Sequence, residues 1–212
     1  LFAIEEDHPM NRALFLSAAA VAALSLAACN KPAATTTADA TQAAQTATDN
    51  TQDAVGAAVG ATSAATLGSV DTGAFVSNAS QSDMYEIQAA QIAQTRSKNA
   101  EVKAFAKMMV TEHTAMMNQM KPLVMAAGQT PAAKLDERRQ GFLDNLKTAT
   151  DANFDKTYVD QQVAAHDEAL TLMSGYADKG SDAGLKGGAA KAVPMIRTHL
   201  EHAKALQAKM SK

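Results

Sequence analysis

The sequence predicts an all-α protein, an antiparallel four-helix bundle with a short extra helix in the long connection between its second and third long helices. Three observations carry that prediction. Apolar residues recur at alternating steps of three and four along four long stretches between residues 71 and 212. Turn and cap residues (Ser97-Lys98-Asn99, Gly128, Pro131, Gly180 and Ser181) fall between those stretches. β-Branched residues are scattered and no segment alternates in polarity, so no strand is expected.

The first helix is expected from about Asp71 to Arg96. Ser80, Ser82 and Asp83 are poor helix formers there, but Phe75, Ala79, Met84, Ile87 and Ala90 keep one face apolar. Asn99 is placed to cap the second helix, which runs to about Ala127 with Gly128 ending it. Its stripe is Val102, Ala106, Met109, His113, Met116, Met120 and Leu123. Past Pro131, Leu135, Phe142, Leu143 and Leu146 predict a short helix across 133–148. The third long helix spans about 151–178, with Val159, Val163, His166, Leu170 and Met173 inward, flanked by Phe154, Tyr158 and Tyr176. Asp182 suits the cap of the last helix, which carries Leu185, Ala189, Ala192, Ile196, His199, Ala203, Leu206 and Met210 in the same rhythm. Gly184, Gly187, Gly188 and Pro194 weaken its first half, and Pro194 is expected to kink it or mark its real start.

The chain ahead of the bundle reads as targeting sequence. Arg12 and the apolar run Leu14–Ala28 have the length of an export signal, and Leu26-Ala27-Ala28-Cys29 resembles the lipobox at which bacterial lipoproteins are cleaved and acylated. Residues 1–9 carry three acids where a signal needs positive charge, so Met10 is read as the initiator and 10–28 as the signal. Cys29 would then anchor the protein in a lipid membrane, and Asn30 after it implies the outer membrane, facing the periplasm. Residues 29–70, rich in Ala and Thr with almost no large apolar side chains, are expected to form a flexible tether, leaving 71–212 as one bundle domain.

Composition excludes several classes. Cys29 is the only cysteine, so neither an intramolecular disulfide nor a cysteine-based metal cage is possible. Setting Arg12 aside from the 19 basic residues and three upstream acids from the 22 acidic ones leaves 18 against 19, which gives no reason to expect nucleic acid binding. No serine sits in a nucleophile elbow, and Gly184, Gly187 and Gly188 follow no strand, so they make no phosphate loop.

The inward stripes carry the candidate chemistry. His113, His166 and His199 each replace an apolar residue, roughly 13 to 17 residues from the start of its helix, and Glu86 lies at a similar depth on the stripe edge of the first helix. At 1.5 Å rise per residue, mid-helix positions of an antiparallel bundle meet at one height. Imidazole and carboxylate suit one transition metal ion: zinc, iron, copper or manganese. Glu112, Tyr158, Asp167 and His202 are candidates to support those ligands. The same groups also suit a hydrogen-bonded layer without a metal. Met108, Met109, Met116, Met117, Met120 and Met125 enrich the second helix; soft-metal handling would use such residues, but core packing accounts for them.

Phe75-Val-Ser-Asn-Ala-Ser, Glu86-Ile-Gln-Ala-Ala and Phe105-Ala-Lys-Met-Met-Val-Thr-Glu-His113 resemble the first half of the DUF4142 family. Phe154-Asp-Lys-Thr-Tyr158 with Gln162-Val-Ala-Ala-His166, and Pro194-Met-Ile-Arg-Thr-His199-Leu, resemble its later helices. The resemblance implies a ferritin-like four-helix fold and a bacterial exported protein, and it singles out Glu86, His113, Tyr158, His166 and His199. It implies no activity. Ferritin-like di-iron proteins use Glu-x-x-His on two helices; here Val110, Val163 and Ile196 stand three residues before the histidines, so a mononuclear site or none fits better than a di-iron centre. Three roles remain open: metal binding through the His/Glu layer, a non-catalytic structural or interaction module of the envelope, and a metal-dependent redox enzyme, with an enzyme the least supported.

Overall fold

The computed structural model describes residues 71–210, and they form five helices and, among them, no strand. The expected signal, Cys29 and tether lie outside the described residues. α1 (Thr72–Arg96) and α2 (Ala100–Ala126) make one hairpin, α4 (Phe154–Lys179) and α5 (Ala183–Met210) another, and α3 (Glu137–Thr148) lies in the connection between them. Packing is most extensive within each hairpin; α2 against α5 and α1 against α4 close the bundle. None of the described helices is long and apolar enough to cross a membrane.

Side-chain caps set the starts of every described helix but α4. Asp71 Oδ1 accepts from Ala74 N at 2.7 Å, Asn99 Oδ1 from Glu101 N at 2.9 Å, and Asp182 Oδ1 from Leu185 N at 2.8 Å. The expected short helix begins later than 133, because Asp136 caps it by accepting from Arg139 N at 2.7 Å. α4 likewise begins at Phe154, after a turn at 151–153. Pro194 is not the start of the last helix, which runs helical from Ala183 through it.

α2 ends in a Schellman motif. Gln129 N donates to Val124 O and Gly128 N to Met125 O, with Gly128 at φ +68°. Arg96 fastens the far end of α3: its guanidinium donates to Leu146 O, Lys147 O and Ala149 O at 2.8, 2.9 and 2.7 Å and lies over the Phe154 ring. Arg138 and Arg139 tie α3 to α4 through Glu168, at 2.7 and 2.8 Å.

The buried faces differ from the expected stripes on two helices. α1 buries Phe75, Val76, Ala79, Ser82, Asp83, Glu86, Ala89, Ala90 and Ala93, while Met84 and Ile87 are only half-buried. In α4, Gln162 and Ala169 are buried and Val163 and Leu170 half-buried. Small side chains on the inner face let the helices approach, and the larger ones fill the flanks. The stripe of α5 is buried from Leu185 to Leu206 as expected.

The apolar core consists of two clusters. One gathers Ala89, Phe105, Met109, Leu146, Phe154, Val159 and Leu206; the other gathers Phe75, Met116, Leu172, Met173, Tyr176, Leu185 and Ile196. Between them along the helices lies a layer of buried polar side chains.

Two glycines test this account. Gly128→Ala forces a Cβ into the left-handed region and is expected to cost about 1 kcal/mol. Gly141→Ala, inside α3 with nothing within 4 Å of the added Cβ, is expected to stabilise by about 0.5–1 kcal/mol. Urea denaturation of both variants measures the two signs.

Candidate metal centre

All four long helices contribute to the polar layer. α1 supplies Asp83 and Glu86, α2 supplies Glu112 and His113, α4 supplies Tyr158, Gln162 and His166, and α5 supplies His199. His113, His166 and His199 are 1%, 0% and 0% exposed. Their ring centroids stand 5.4–5.6 Å apart. One ring nitrogen from each lies within 4.8 Å of the others, an arrangement able to hold a single metal ion.

Each imidazole is held from outside by one of its nitrogens. His113 Nδ1 pairs with Asp83 Oδ1 at 2.9 Å, His166 Nδ1 with the Gln162 carbonyl at 2.8 Å, and His199 Nε2 with Glu112 Oε2 at 2.8 Å. A carbonyl only accepts, so His166 Nδ1 carries the hydrogen and its Nε2 presents a lone pair. Carboxylates favour the same division in the other two rings. The remaining nitrogens, His113 Nε2, His166 Nε2 and His199 Nδ1, are buried without a protein partner. This is how protein histidines are oriented around metals, with an outer acceptor fixing the tautomer and raising the basicity of the inner nitrogen.

The ionisation states follow from the same surroundings. Burial, helped by the nearby His113 charge, pushes His166 well below the usual histidine range, so its ring is neutral. Burial also lowers His199, against the pull of Glu112. Burial works against charge on His113 too, but the Asp83 hydrogen bond and the charges of Asp83, Glu86 and Glu112 outweigh it and raise its pKa. Burial raises Asp83, opposed by His113.

Glu86 is 0% exposed, and the Gln162 amide is the polar group beside its carboxylate. Burial pushes its carboxyl up to about 7, with His113 opposing. Its Oε1 stands 3.7 Å from His166 Nδ1, the nitrogen that faces away from the cluster, so Glu86 lies beside the three histidines and is not grouped with them. Tyr158 is buried with an unpartnered hydroxyl, packed edge-on against Phe105.

The structure thus brings together His113, His166 and His199, places Glu86 and Tyr158 in the same layer, and sets Glu112 on His199. It places two other candidates elsewhere. Asp167 is exposed and pairs with Lys204 at 3.2 Å, and His202 is exposed with its ring edge-on to Phe105 at 5.0 Å. Both directions follow from helical geometry, since residues one and three positions from a buried histidine turn about 100° and 60° away from it. Sequence reasoning missed Asp83 and Gln162. Asp83 had a signal: it lies four residues after Ala79 and three before Glu86, a carboxylate on the apolar stripe.

The donors fit a transition ion. Three imidazoles suit zinc, iron, copper or manganese, His113 giving up its extra proton as the ion binds, and the adjacent Glu86 carboxylate would offset part of the charge. Left without any partner, three buried imidazole nitrogens would cost about 1–3 kcal/mol each, a large share of the roughly 5–15 kcal/mol that holds a domain together.

Fold and site together define a helical bundle with a buried histidine cluster suited to one metal ion. The chain belongs to the DUF4142 family, described as a domain of unknown function, which it matches over residues 57–206. A crystal structure of a DUF305 fragment from Deinococcus radiodurans is similar in fold, with a TM-score of 0.56 at 15% identity over 64% of this chain and 93% of that one. Among curated proteins no sequence matches.

Glu86 links stability to pH. Its pKa is raised from 4.5 to about 7 in the folded chain, so its contribution to stability is full below about 4.5 and is lost as the pH rises through 7. Metal-free wild type is expected to lose stability relative to Glu86→Gln across that window, with the other layer groups common to both proteins. Denaturation curves of the pair from about pH 4 to about pH 9 test the difference; parallel profiles would refute it.

Proposed function

We propose that the protein is a metal-binding protein of the bacterial envelope that holds one transition metal ion through His113, His166 and His199. The observation that carries this reading is the set of three buried imidazole nitrogens, each opposite a nitrogen fixed by Asp83, Gln162 or Glu112. A layer built only for hydrogen bonding would pair those nitrogens with one another or with the buried Tyr158 hydroxyl, which is also unpartnered. The near-complete burial of the rings favours holding an ion over turning over a substrate on it. The bound ion would supply positive charge at the centre of the layer; Asp83 and Glu112 would orient ligands, and Glu86 would balance charge.

Export and anchoring complete the proposal. The signal-like run 10–28 and the lipobox around Cys29 support a lipoprotein attached to the outer membrane and facing the periplasm.

The test is elemental analysis of the full chain, purified without affinity tag or chelator, beside the His113→Ala/His166→Ala variant. About one equivalent of one metal is expected in the wild type and none in the variant. Restoring metal to stripped protein is expected to raise its Tm. Absence of metal after exposure to zinc, iron, copper and manganese would leave a purely structural polar layer.

A further inference from the structure

We infer that the metal ion reaches the histidines through the groove between α2 and the first half of α5, and that Glu112 receives it there and controls its entry beside His199. The inference rests on the metal-binding reading above. With the three rings at most 1% exposed, an ion must pass a side chain that touches both the cluster and an opening. Among the described residues two carboxylates meet that condition, Asp83 and Glu112, and each lines a cavity.

The Asp83 cavity measures about 220 Å³, and its carboxylate is 6% exposed, held in a buried bond to His113. The Glu112 groove measures about 720 Å³, and Glu112 is the only carboxylate among its lining residues. Glu112 is 43% exposed, and its bond to His199 is only half-buried. Both carboxylates are paired with a histidine, but a half-exposed one can meet a hydrated divalent cation from solvent and a buried one cannot. Turning Glu112 away from His199 also frees that ring to swing aside, the one ring of the three held by a half-exposed side chain.

The groove exists because α5 presents glycines along it. A Cβ on Gly188 would stand 2.7 Å from Met120 Sδ and 2.8 Å from Leu123 Cδ1, so that glycine lets α2 and α5 approach. Gly187 lines the groove but has nothing within 4 Å of an added Cβ. Gly187 is exposed, so a larger side chain there takes up space along the groove with no clash at its Cβ. Exposed Lys191 also lines the groove and sets its charge against an incoming cation.

The experiment follows uptake of Co(II) by the metal-stripped full chain, through the visible absorption of the histidine-bound ion in stopped flow. Gly187→Leu is expected to slow loading about ten-fold or more while reaching the same stoichiometry. Gly141→Leu, on α3 away from the groove, serves as control and loads at the wild-type rate. Lys191→Glu is expected to speed loading several-fold at low salt, with the gain vanishing at high salt. Loading of folded Gly187→Leu at the wild-type rate, or of Lys191→Glu unchanged at low salt, overturns the route and leaves the metal site standing. Should Gly187→Leu fail to fold, Lys191→Glu decides alone. Wild type that takes up no Co(II) overturns the metal-binding reading and the route with it.

Discussion

Every buried imidazole of the central layer is gripped by one nitrogen from its outer side, and this constraint organises the bundle around it. His113 needs Asp83 from α1, His199 needs Glu112 from α2, and His166 uses the carbonyl of Gln162 one turn earlier on its own helix. Two of these bonds cross between helices, so α1, α2 and α5 must keep one axial register for both to form. Sliding any of them by a turn, about 5.4 Å, would drive a histidine into one of the apolar clusters and strand a carboxylate. Hydrophobic burial makes the helices associate; the polar layer selects which association is allowed.

The helix ends serve that register. Asn99 and Asp182 fix where α2 and α5 begin, each only three residues after the preceding helix has ended. Short connections leave little freedom for either hairpin to slip. The long connection between hairpins would be the weak point. There α3 is fixed at one end by Arg96 across its last carbonyls and at the other by Arg138 and Arg139 on Glu168.

Much of this was legible in the sequence. The four long helices, the caps at Asn99 and Asp182, the stop at Gly128 and the meeting of His113, His166 and His199 all follow from spacing and turn chemistry. The inner face of α1 was misjudged because Met84 and Ile87 are the larger apolar residues, whereas close packing put Ala89, Ala90 and Ala93 inside. Asp83 was hidden for a related reason. Beside Ser80 and Ser82 it looked like a polar interruption, and its role depends on a histidine 30 residues away. Pro194 lies exposed within a continuous helix, so local propensity yielded to packing of the flanking Ala192 and Ile196.

A core divided into two apolar clusters also has a consequence for how the molecule comes apart. Few oil-to-oil contacts bridge the layer, so the two ends of the bundle communicate largely through histidines, carboxylates and the helix backbones themselves. Each end then has its own opening free energy, and the cooperativity of the whole resides in the layer. An ion bound at the centre would act on both ends at once, converting two weakly coupled folding units into one.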